Sequence, residues 1–484
     1  MSRGLETDAG EAGGIAQGRA LPGTSGRAGA AGAAWAADVS RPHAGSRKPN
    51  RLAAFLFQLL AAIGFGISLA LIVPTLGASA LAAPGGLLLA GGRIAGMAGT
   101  YLLLVTVAIV GRIPVLERAV GQDKLIGWHR VLGPWILILL GAHAVLLTLG
   151  YAFGVKTGAL HELAVLITTF PGMLAAAAGL GLLVLAGVTS YRYARRKMRY
   201  ETWWSVHLYT YLAAAISLWH QFATGTPFVG HPVAIAWWAS LWALTAGVVL
   251  VYRVGLPLVR TNRHRLRVVS VEEEAPGVVS VICKGRHLDR LPVSGGQFLQ
   301  WRFLVSGMWW QAHPYSLSAM PTANRIRITV KSLGDHSRSL ADLEPGTPVA
   351  IEGPYGAFTK HVRKSDRILL VGAGVGATPI RALLDDLPSH VDTTVILRGN
   401  QQHELVLRDE IAQKVSERAG RLHEVVGPRE QAPLDVRHLQ QLVPDVAERD
   451  VYVCGPGGFM TSFISAARQA GVPEDRIHYE DFSF

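Results

Sequence analysis

Six apolar blocks follow one another between Leu52 and Arg253, at roughly 52–73, 87–111, 131–152, 164–190, 203–222 and 232–253. Each approaches the ~20 residues a helix needs to cross a hydrocarbon core. The pattern changes near Thr261. Short β-type runs then appear at Leu266–Ser270, Val278–Lys284, Phe298–Phe303, Arg325–Lys331 and Pro348–Ile351, punctuated by Ser294-Gly295-Gly296 and Gly353-Pro354-Tyr355-Gly356. Such spacing predicts a small antiparallel barrel. From Asp366 the strands Ile368–Val371, Thr393–Leu397 and Asp450–Cys454 alternate with helical stretches, the pattern of a doubly wound parallel sheet. The fold class expected is a multidomain membrane protein. A disordered tail (1–50) precedes a six-helix bundle (51–255), a β-barrel domain (262–362) and an α/β nucleotide-binding domain (363–484).

Charge sets the direction of the bundle. Basic residues gather before the first block (Arg41, Arg47, Lys48, Arg51), in the second connection (Arg112, Arg118, Lys124, with Arg130), in the fourth (Arg192, Arg195, Arg196, Lys197, Arg199) and after the sixth (Arg253, Arg260, Arg263, Arg265, Arg267). The other connections carry almost none. The positive-inside rule then puts both termini of a six-span plasma-membrane protein in the cytoplasm. The net charge of +12 therefore reads as topology rather than as nucleic-acid binding. Residues 1–50, rich in Gly, Ala, Arg and Ser, show no short apolar core of a cleavable signal, so the first block is expected to stay as an anchor. Two cysteines, Cys283 and Cys454, exclude a disulfide framework and a four-cysteine cluster in the chain. No EF-hand-type calcium loop is present, and a protein partner is not readable.

Four histidines interrupt the apolar blocks: His129 and His143, fourteen residues apart, and His207 and His220, thirteen apart. At ~1.5 Å per residue each pair spans roughly 20 Å, two depths of one bilayer. The third and fifth blocks run in the same direction, which pairs His129 with His207 near the inner face and His143 with His220 near the outer. The plain alternative is buried imidazoles bonded to carbonyls or lining a polar cavity. Two depth-matched pairs favour metal ligation, and haem over a bare ion, because axial imidazoles need only two ligands per site. Fourteen residues return to within about 40° of one helix face, but thirteen fall about 140° away. The fifth block must therefore contain an irregularity or a shifted ligand geometry. Arg93 is a further charge within the bilayer. It either snorkels to the outer interface or pairs with a propionate of an outer haem. Gly91, Gly92, Gly96 and Gly99 beside it permit close approach by a helix or a macrocycle.

In the soluble half, Gly372, Gly374, Gly376, Ala377, Thr378 and Pro379 form a turn between a strand and a helix. Amides at that position can hold a pyrophosphate. The third glycine stands one place early for the G-x-G-x-x-G fingerprint. Arg398 follows the second strand and is a candidate for a 2′-phosphate, with Arg429 a weaker one; no acid at that strand end selects NADH.

The order of His313-Pro314-Tyr315-Ser316, Lys331 with Gly334 and Ser337, Gly353-Pro354-Tyr355-Gly356-Ala357-Phe358, the glycine turn, Cys454-Gly455-Pro456-Gly457 and Glu480-Asp481-Phe482 resembles the ferredoxin–NADP reductase family. Joined to six apolar blocks with paired histidines, residues 52–484 resemble the NADPH oxidase and ferric reductase superfamily. That resemblance implies FAD, two haem b and NADPH or NADH as cofactors. Tyr315 and Ser316 would contact the isoalloxazine, with Leu317 and Ser318 continuing the segment, and His313 replaces the arginine of soluble reductases. Lys331, Gly334 and Ser337 match the stretch that holds the flavin ribityl and phosphate groups. Cys454, with Gly455, Pro456 and Gly457, would lie near the nicotinamide, and Phe482 would stack on the flavin, although Ser483 and Phe484 extend beyond it.

These parts imply electron flow from a cytoplasmic nicotinamide dinucleotide through flavin and the inner site to the outer site. Oxygen, giving superoxide, or a ferric chelate accepts on the far side. The alternatives are a membrane relay serving a dedicated protein partner and a non-redox proton pathway lined by the histidines.

Overall fold

The computed structural model describes residues 51–480 apart from 121, 192–193, 195–196 and 199. The expected tail with His43, the basic residues Arg192, Arg195, Arg196 and Arg199, and Phe482 and Phe484 lie outside the described residues. Apolar helices come first, because only a helix satisfies its backbone within one segment where water is absent. They are α1 (Arg51–Ala70), α2 (Gly86–Ile109), the short α3 (Pro114–Val120), α4 (Gln122–Val155), α5 (Ala159–Thr169), α6 (Met173–Ser190), α7 (Tyr200–Ile216), α8 (Leu218–Thr224) and α9 (Pro232–Val248). Among the described residues five stretches are long and apolar enough to cross a membrane: Leu52–Thr75, Gly86–Ile109, Lys124–Val155, Met173–Ser190 and Pro232–His264.

Two of the six expected blocks are broken. The block at 164–190 divides at Phe170-Pro171-Gly172. Proline disfavours helix at the residue before it, and Gly172 turns the chain at φ +81°. The block at 203–222 divides at Ser217, whose φ −81°, ψ −5° departs from helical values near −63°, −42°. Ser217 donates to the carbonyl of Ala213 at 2.7 Å, and its own carbonyl accepts from Gln221 Nε2 at 3.0 Å. The break falls between His207 and His220, where the thirteen-residue spacing requires an irregularity. The sixth block runs further than expected. A π-helical turn, Val249–Gly255, leads into α10 (Leu256–His264), so residues 256–261 are helix rather than linker.

The glycines of α2 form its contact with α4. A Cβ at Gly92 would lie 2.8 Å from Leu147, one at Gly99 would lie 2.9 Å from Leu140, and one at Gly96 would collide with the His143 ring. The small-residue stripe thus seats α4 against α2, as such stripes do where no hydrophobic effect drives helices together.

The C-terminal half, within the same unit as the helices, has two sheets. β1 (Leu266–Ala275), β2 (Val278–Lys284), β3 (Phe298–Phe303), β4 (His313–Ser316), β5 (Arg325–Lys331) and β6 (Pro348–Tyr355) pair antiparallel in the order β4-β3-β6-β1-β2-β5. A single bridge between Leu317 and Ile328 joins the two outer strands. Trp301, Leu299 and Phe303 fill the interior. β7 (Arg367–Ala373), β8 (Asp392–Gly399), β9 (Arg421–Val426), β10 (Asp450–Cys454) and β11 (Ile477–Tyr479) form an all-parallel sheet in the order β11-β10-β7-β8-β9. The sequence reading omitted β4, β9 and β11, which are short and lack a continuous apolar run. Helices α11 (Ala377–Asp386), α12 (Arg408–Glu417) and α13 (Gly457–Gln469) accompany the sheet.

One ion network ties the two sheets together. Arg327 of β5 grips both oxygens of Glu410 on α12 at 2.6 and 2.8 Å, and Arg381 of α11 reaches the same carboxylate at 3.0 Å. Removing one partner of a buried pair leaves uncompensated charge and costs about 3–5 kcal/mol. Glu410→Ala is therefore expected to lower the thermal midpoint of flavin release, followed by flavin fluorescence, below that of the parent protein. An unchanged midpoint would show that the network contributes nothing.

Candidate functional site

The membrane histidines come together across helices. The rings of His129 on α4 and His207 on α7 have centroids 5.7 Å apart at 80°, edge to face across the two helices. His220 on α8 lies within electrostatic reach of His143 on α4. The outward nitrogens differ in support. His143 Nδ1 is 2.8 Å from the carbonyl of Gly92, and His207 Nδ1 is 3.3 Å from Ser190 Oγ. Trp203 donates to that same hydroxyl at 3.1 Å and stacks on the His207 ring. Such partners fix ring orientation and tautomer in ligating histidines. His129 Nδ1 and His220 Nδ1 are buried with no well-formed hydrogen bond. No group of three or more metal-binding side chains gathers among the described residues, so each histidine site offers two protein ligands. Arg93 donates to the carbonyl of Thr75 at 3.4 Å, at the end of the first spanning stretch.

The second constellation lies along β4. His313 stacks on His336 with centroids 3.6 Å apart, and Tyr315 Oη is 3.0 Å from His336 Nδ1. His336 escaped the sequence reading, although it follows Gly334 in the turn that was singled out. Burial, with His313 alongside, pushes its imidazole down to about 3; it is neutral at physiological pH. Burial also raises the Tyr315 phenol. Ser316 Oγ is buried with no partner, a hydroxyl left for a ligand. Pro314 faces Gln300 across the ladder, Ser318 Oγ accepts from Arg327 Nε at 2.9 Å, and Leu317 is fully buried. Ser337 Oγ accepts from the amides of Leu333 and Gly334 at 2.9 Å each and shapes the turn after Lys331.

The third constellation is at the C-terminal edge of the parallel sheet, where ligands of such folds bind. A cavity of about 790 Å³ opens there, lined among others by Lys331, Gly374, Arg398, Asn400, Arg429 and Pro456. Gly372, next to last in β7, lies opposite Cys454 of β10. A Cβ at Gly376 would collide with the Cys454 carbonyl, so this glycine lets the phosphate-type turn close against β10. Gly374 adopts φ +55° and Gly455 φ +159°. Helix α11 opens with Ala377, Thr378 and Pro379, and Thr378 Oγ1 is buried without a partner at its N-terminus. Gly457 opens α13 after Pro456. Arg398 lies within β8 rather than after it. Its guanidinium donates to the carbonyls of Gly399, Val425 and Gly427. Arg429, on the cavity wall, bonds Ser462 Oγ at 2.7 Å and keeps donors for a ligand.

Comparison with known proteins follows this division. Residues 95–218 match the family described as ferric reductase like transmembrane component, and residues 370–464 match the oxidoreductase NAD-binding domain. The reductase half is 34% identical over 233 residues to the ferredoxin reductase component of 3-ketosteroid-9-alpha-monooxygenase from Mycolicibacterium smegmatis, covering 45% of this chain and 65% of that protein. It is 29% identical over 241 residues to the NADPH oxidoreductase of Mycobacterium tuberculosis, covering 47% and 62%. The chain thus spans less than two thirds of these curated relatives. Among solved structures, the FAD/NAD-binding domain of nitric oxide dioxygenase from Vibrio cholerae matches at 26% identity and a TM-score of 0.39, covering 45% of this chain and 98% of that one. One part of the chain thus matches a ferric reductase like transmembrane component and another an oxidoreductase NAD-binding domain. This combination matches the ferric reductase and NADPH oxidase-like fusions.

The two arginines of the cavity predict opposite behaviour. A charge-assisted hydrogen bond contributes ~1.5–3 kcal/mol, so Arg429→Ala is expected to raise KM for NADPH about ten- to hundredfold and leave NADH turnover unchanged. Arg398→Ala is expected to weaken the fold of the β8–β9 edge and affect both dinucleotides alike. Steady-state kinetics with each cofactor measure this; an NADPH-selective loss in Arg398→Ala would reverse the assignment.

Proposed function

We propose that this protein is a six-span, plasma-membrane oxidoreductase. It moves electrons from a cytoplasmic nicotinamide dinucleotide, through FAD and two bis-histidine b-type haems, to an acceptor on the outer side. The observation that carries the reading is the pairing of His129 with His207 across α4 and α7, 5.7 Å between rings, in a helix bundle fused to a reductase module. FAD divides the two electrons of a nicotinamide for one-electron haem centres. We read the bundle as six crossings with both termini inside, counting α5–α6 and α7–α8 each as one interrupted span, and the antiparallel sheet as a small barrel.

Each residue has a task in this reading. His129 and His207 hold the inner haem, and His143 and His220 the outer. Gly92 and Ser190 hold the protons on His143 Nδ1 and His207 Nδ1, so each ring presents Nε2 to iron. If haem binds there, two histidines would hold each group and it would supply one-electron chemistry, which suits electron passage rather than ligand binding at a metal. Tyr315 and Ser316 line the flavin, with His313 in the same segment, and Lys331, Gly334 and Ser337 hold its ribityl and phosphate groups. The turn from Gly372 to Pro379 holds the dinucleotide pyrophosphate, Cys454 to Gly457 face the nicotinamide, and Arg429 rather than Arg398 meets a 2′-phosphate. Arg93, at the outer end of α2, stands where positive charge favours an anionic product or a chelate.

Purified protein is expected to contain two haem b and one FAD per chain, by pyridine haemochrome and flavin release. Loss of His129 or His207 is expected to abolish haem reduction by NADPH. Loss of His143 or His220 is expected to leave the inner haem reducible while stopping outer delivery. Identical behaviour of all four variants would sink the depth assignment, and absence of b-type bands would sink the reading. Superoxide formation identifies oxygen as acceptor, ferric reduction under strict anaerobiosis identifies a metal chelate, and turnover only with an added protein identifies a relay.

A further inference from the structure

The densest polar contact between the membrane helices and the reductase half lies at the end of β6. From the membrane side, Arg112 sits with its guanidinium 4.0 Å from the centre of the Tyr355 ring. It does so in a left-handed backbone conformation, φ +65°, which is costly for a residue with a Cβ. Its other partner is Glu117 of α3 at 3.5 Å, and both side chains are only 14% exposed. From the sixth span, Arg253 reaches Glu352 at 2.8 Å, and Arg260 donates to the carbonyl of Gly353. Arg253 lies in the π-helical turn, an irregularity frequent at functional sites. Tyr355 closes the group by donating to Glu352 at 2.7 Å.

This joint lies directly between the two halves of the electron path. Tyr355 is paired with Phe298 of β3, and Phe298 with Ser316 of β4. Two strand spacings, about 10 Å, therefore separate Tyr355 from the hydroxyl assigned to the flavin. Gly356 abuts the Glu480 carboxylate, at the start of the C-terminal segment. On the membrane side, Leu116 shares a buried cluster with Trp128, the residue before His129.

We propose that Arg112, Glu117, Glu352 and Tyr355 form a clamp that positions the flavin edge against the inner histidine pair, with Glu117 as a proton-sensitive element that loosens it. This rests on the reading that electrons pass from flavin to the His129–His207 site. The four are positioning residues; none touches a reacting atom.

The sign of the proton effect follows from linkage. Burial pushes the Glu117 carboxyl up to about 7; Arg112 and Arg253 oppose the shift, and Glu352 adds to it. Tyr355 completes the groups facing it, and burial raises its phenol, so it stays neutral. Of the groups that raise this carboxyl, Glu352 comes from the other half of the contact, so docking brings it near and the docked state binds the proton more tightly. Docking is then strongest at acid pH and weakens as pH rises from the ordinary carboxylate range to about 7, by up to about tenfold per unit. Above that window it is constant.

The test uses the full-length, cofactor-loaded protein, reduced anaerobically with NADPH, with flavin bleaching and haem absorbance followed separately. Wild type is expected to show flavin reduction indifferent to the clamp and haem reduction that slows as pH rises from about 5 to 7. Glu117→Gln, a mimic of the protonated acid, is expected to abolish that slope and to reduce haem faster than wild type at pH 7 and above. Glu117→Asp restores the slope. Arg112→Ala slows haem reduction at every pH and leaves flavin reduction intact. Hydrogen exchange of residues 352–356 in cofactor-free protein, corrected for intrinsic pH dependence, gives a readout independent of turnover. Protection should fall with pH in wild type and stay level in Glu117→Gln. A haem step that is reducible yet has the same pH profile in wild type and Glu117→Gln overturns the clamp alone. Absence of haem bands overturns the electron-path reading, and the clamp's role with it.

Discussion

An imidazole inside an apolar helix bundle has two polar nitrogens and no water to satisfy them. The membrane half is arranged around that constraint. Gly92 and Ser190 supply a partner to one nitrogen of His143 and His207, while His129 and His207 meet ring to ring across two helices. The helix contacts serve this arrangement. The glycine stripe of α2 brings its backbone close enough for the Gly92 carbonyl to reach α4, and the break at Ser217 lets His207 and His220 belong to one path although an unbroken helix would turn them apart.

The reductase half answers a different constraint. A parallel sheet exposes helix N-termini and strand ends along one edge, and there the chain places glycines where backbone must meet backbone. Gly376 allows the turn after β7 to close on the carbonyl of Cys454. Ser316 and Thr378 present buried hydroxyls without partners in the two candidate nucleotide sites. Unsatisfied buried hydroxyls are costly unless something binds them. The Arg327–Glu410–Arg381 network ties the two sheets together.

Much of this was legible from spacing. Blocks of apolar residues read as spanning helices because hydrophobic length translates directly into bilayer thickness. The glycine turn read as a strand-to-helix junction because few residues tolerate its backbone. What escaped has physical causes. β4, β9 and β11 are too short and too mixed in polarity to announce themselves. His336 carries no local pattern; only the fold stacks it on His313. Arg398 appeared free because a strand-end arginine usually is, but the carbonyls of Gly399, Val425 and Gly427 take up its guanidinium.

By itself, then, the chain determined which segments are apolar, at what spacing the four histidines recur, and where glycine must stand, since these follow from composition and from one-dimensional period. Only the tertiary structure decided which nitrogens gain partners, which cavity arginine has its guanidinium taken up by carbonyls, and how Arg112 and Arg253 meet the end of β6. Those are contacts between residues up to 243 positions apart, as for Arg112 and Tyr355. They depend on the crossing of helices and the order of strands, which no local pattern of residues encodes.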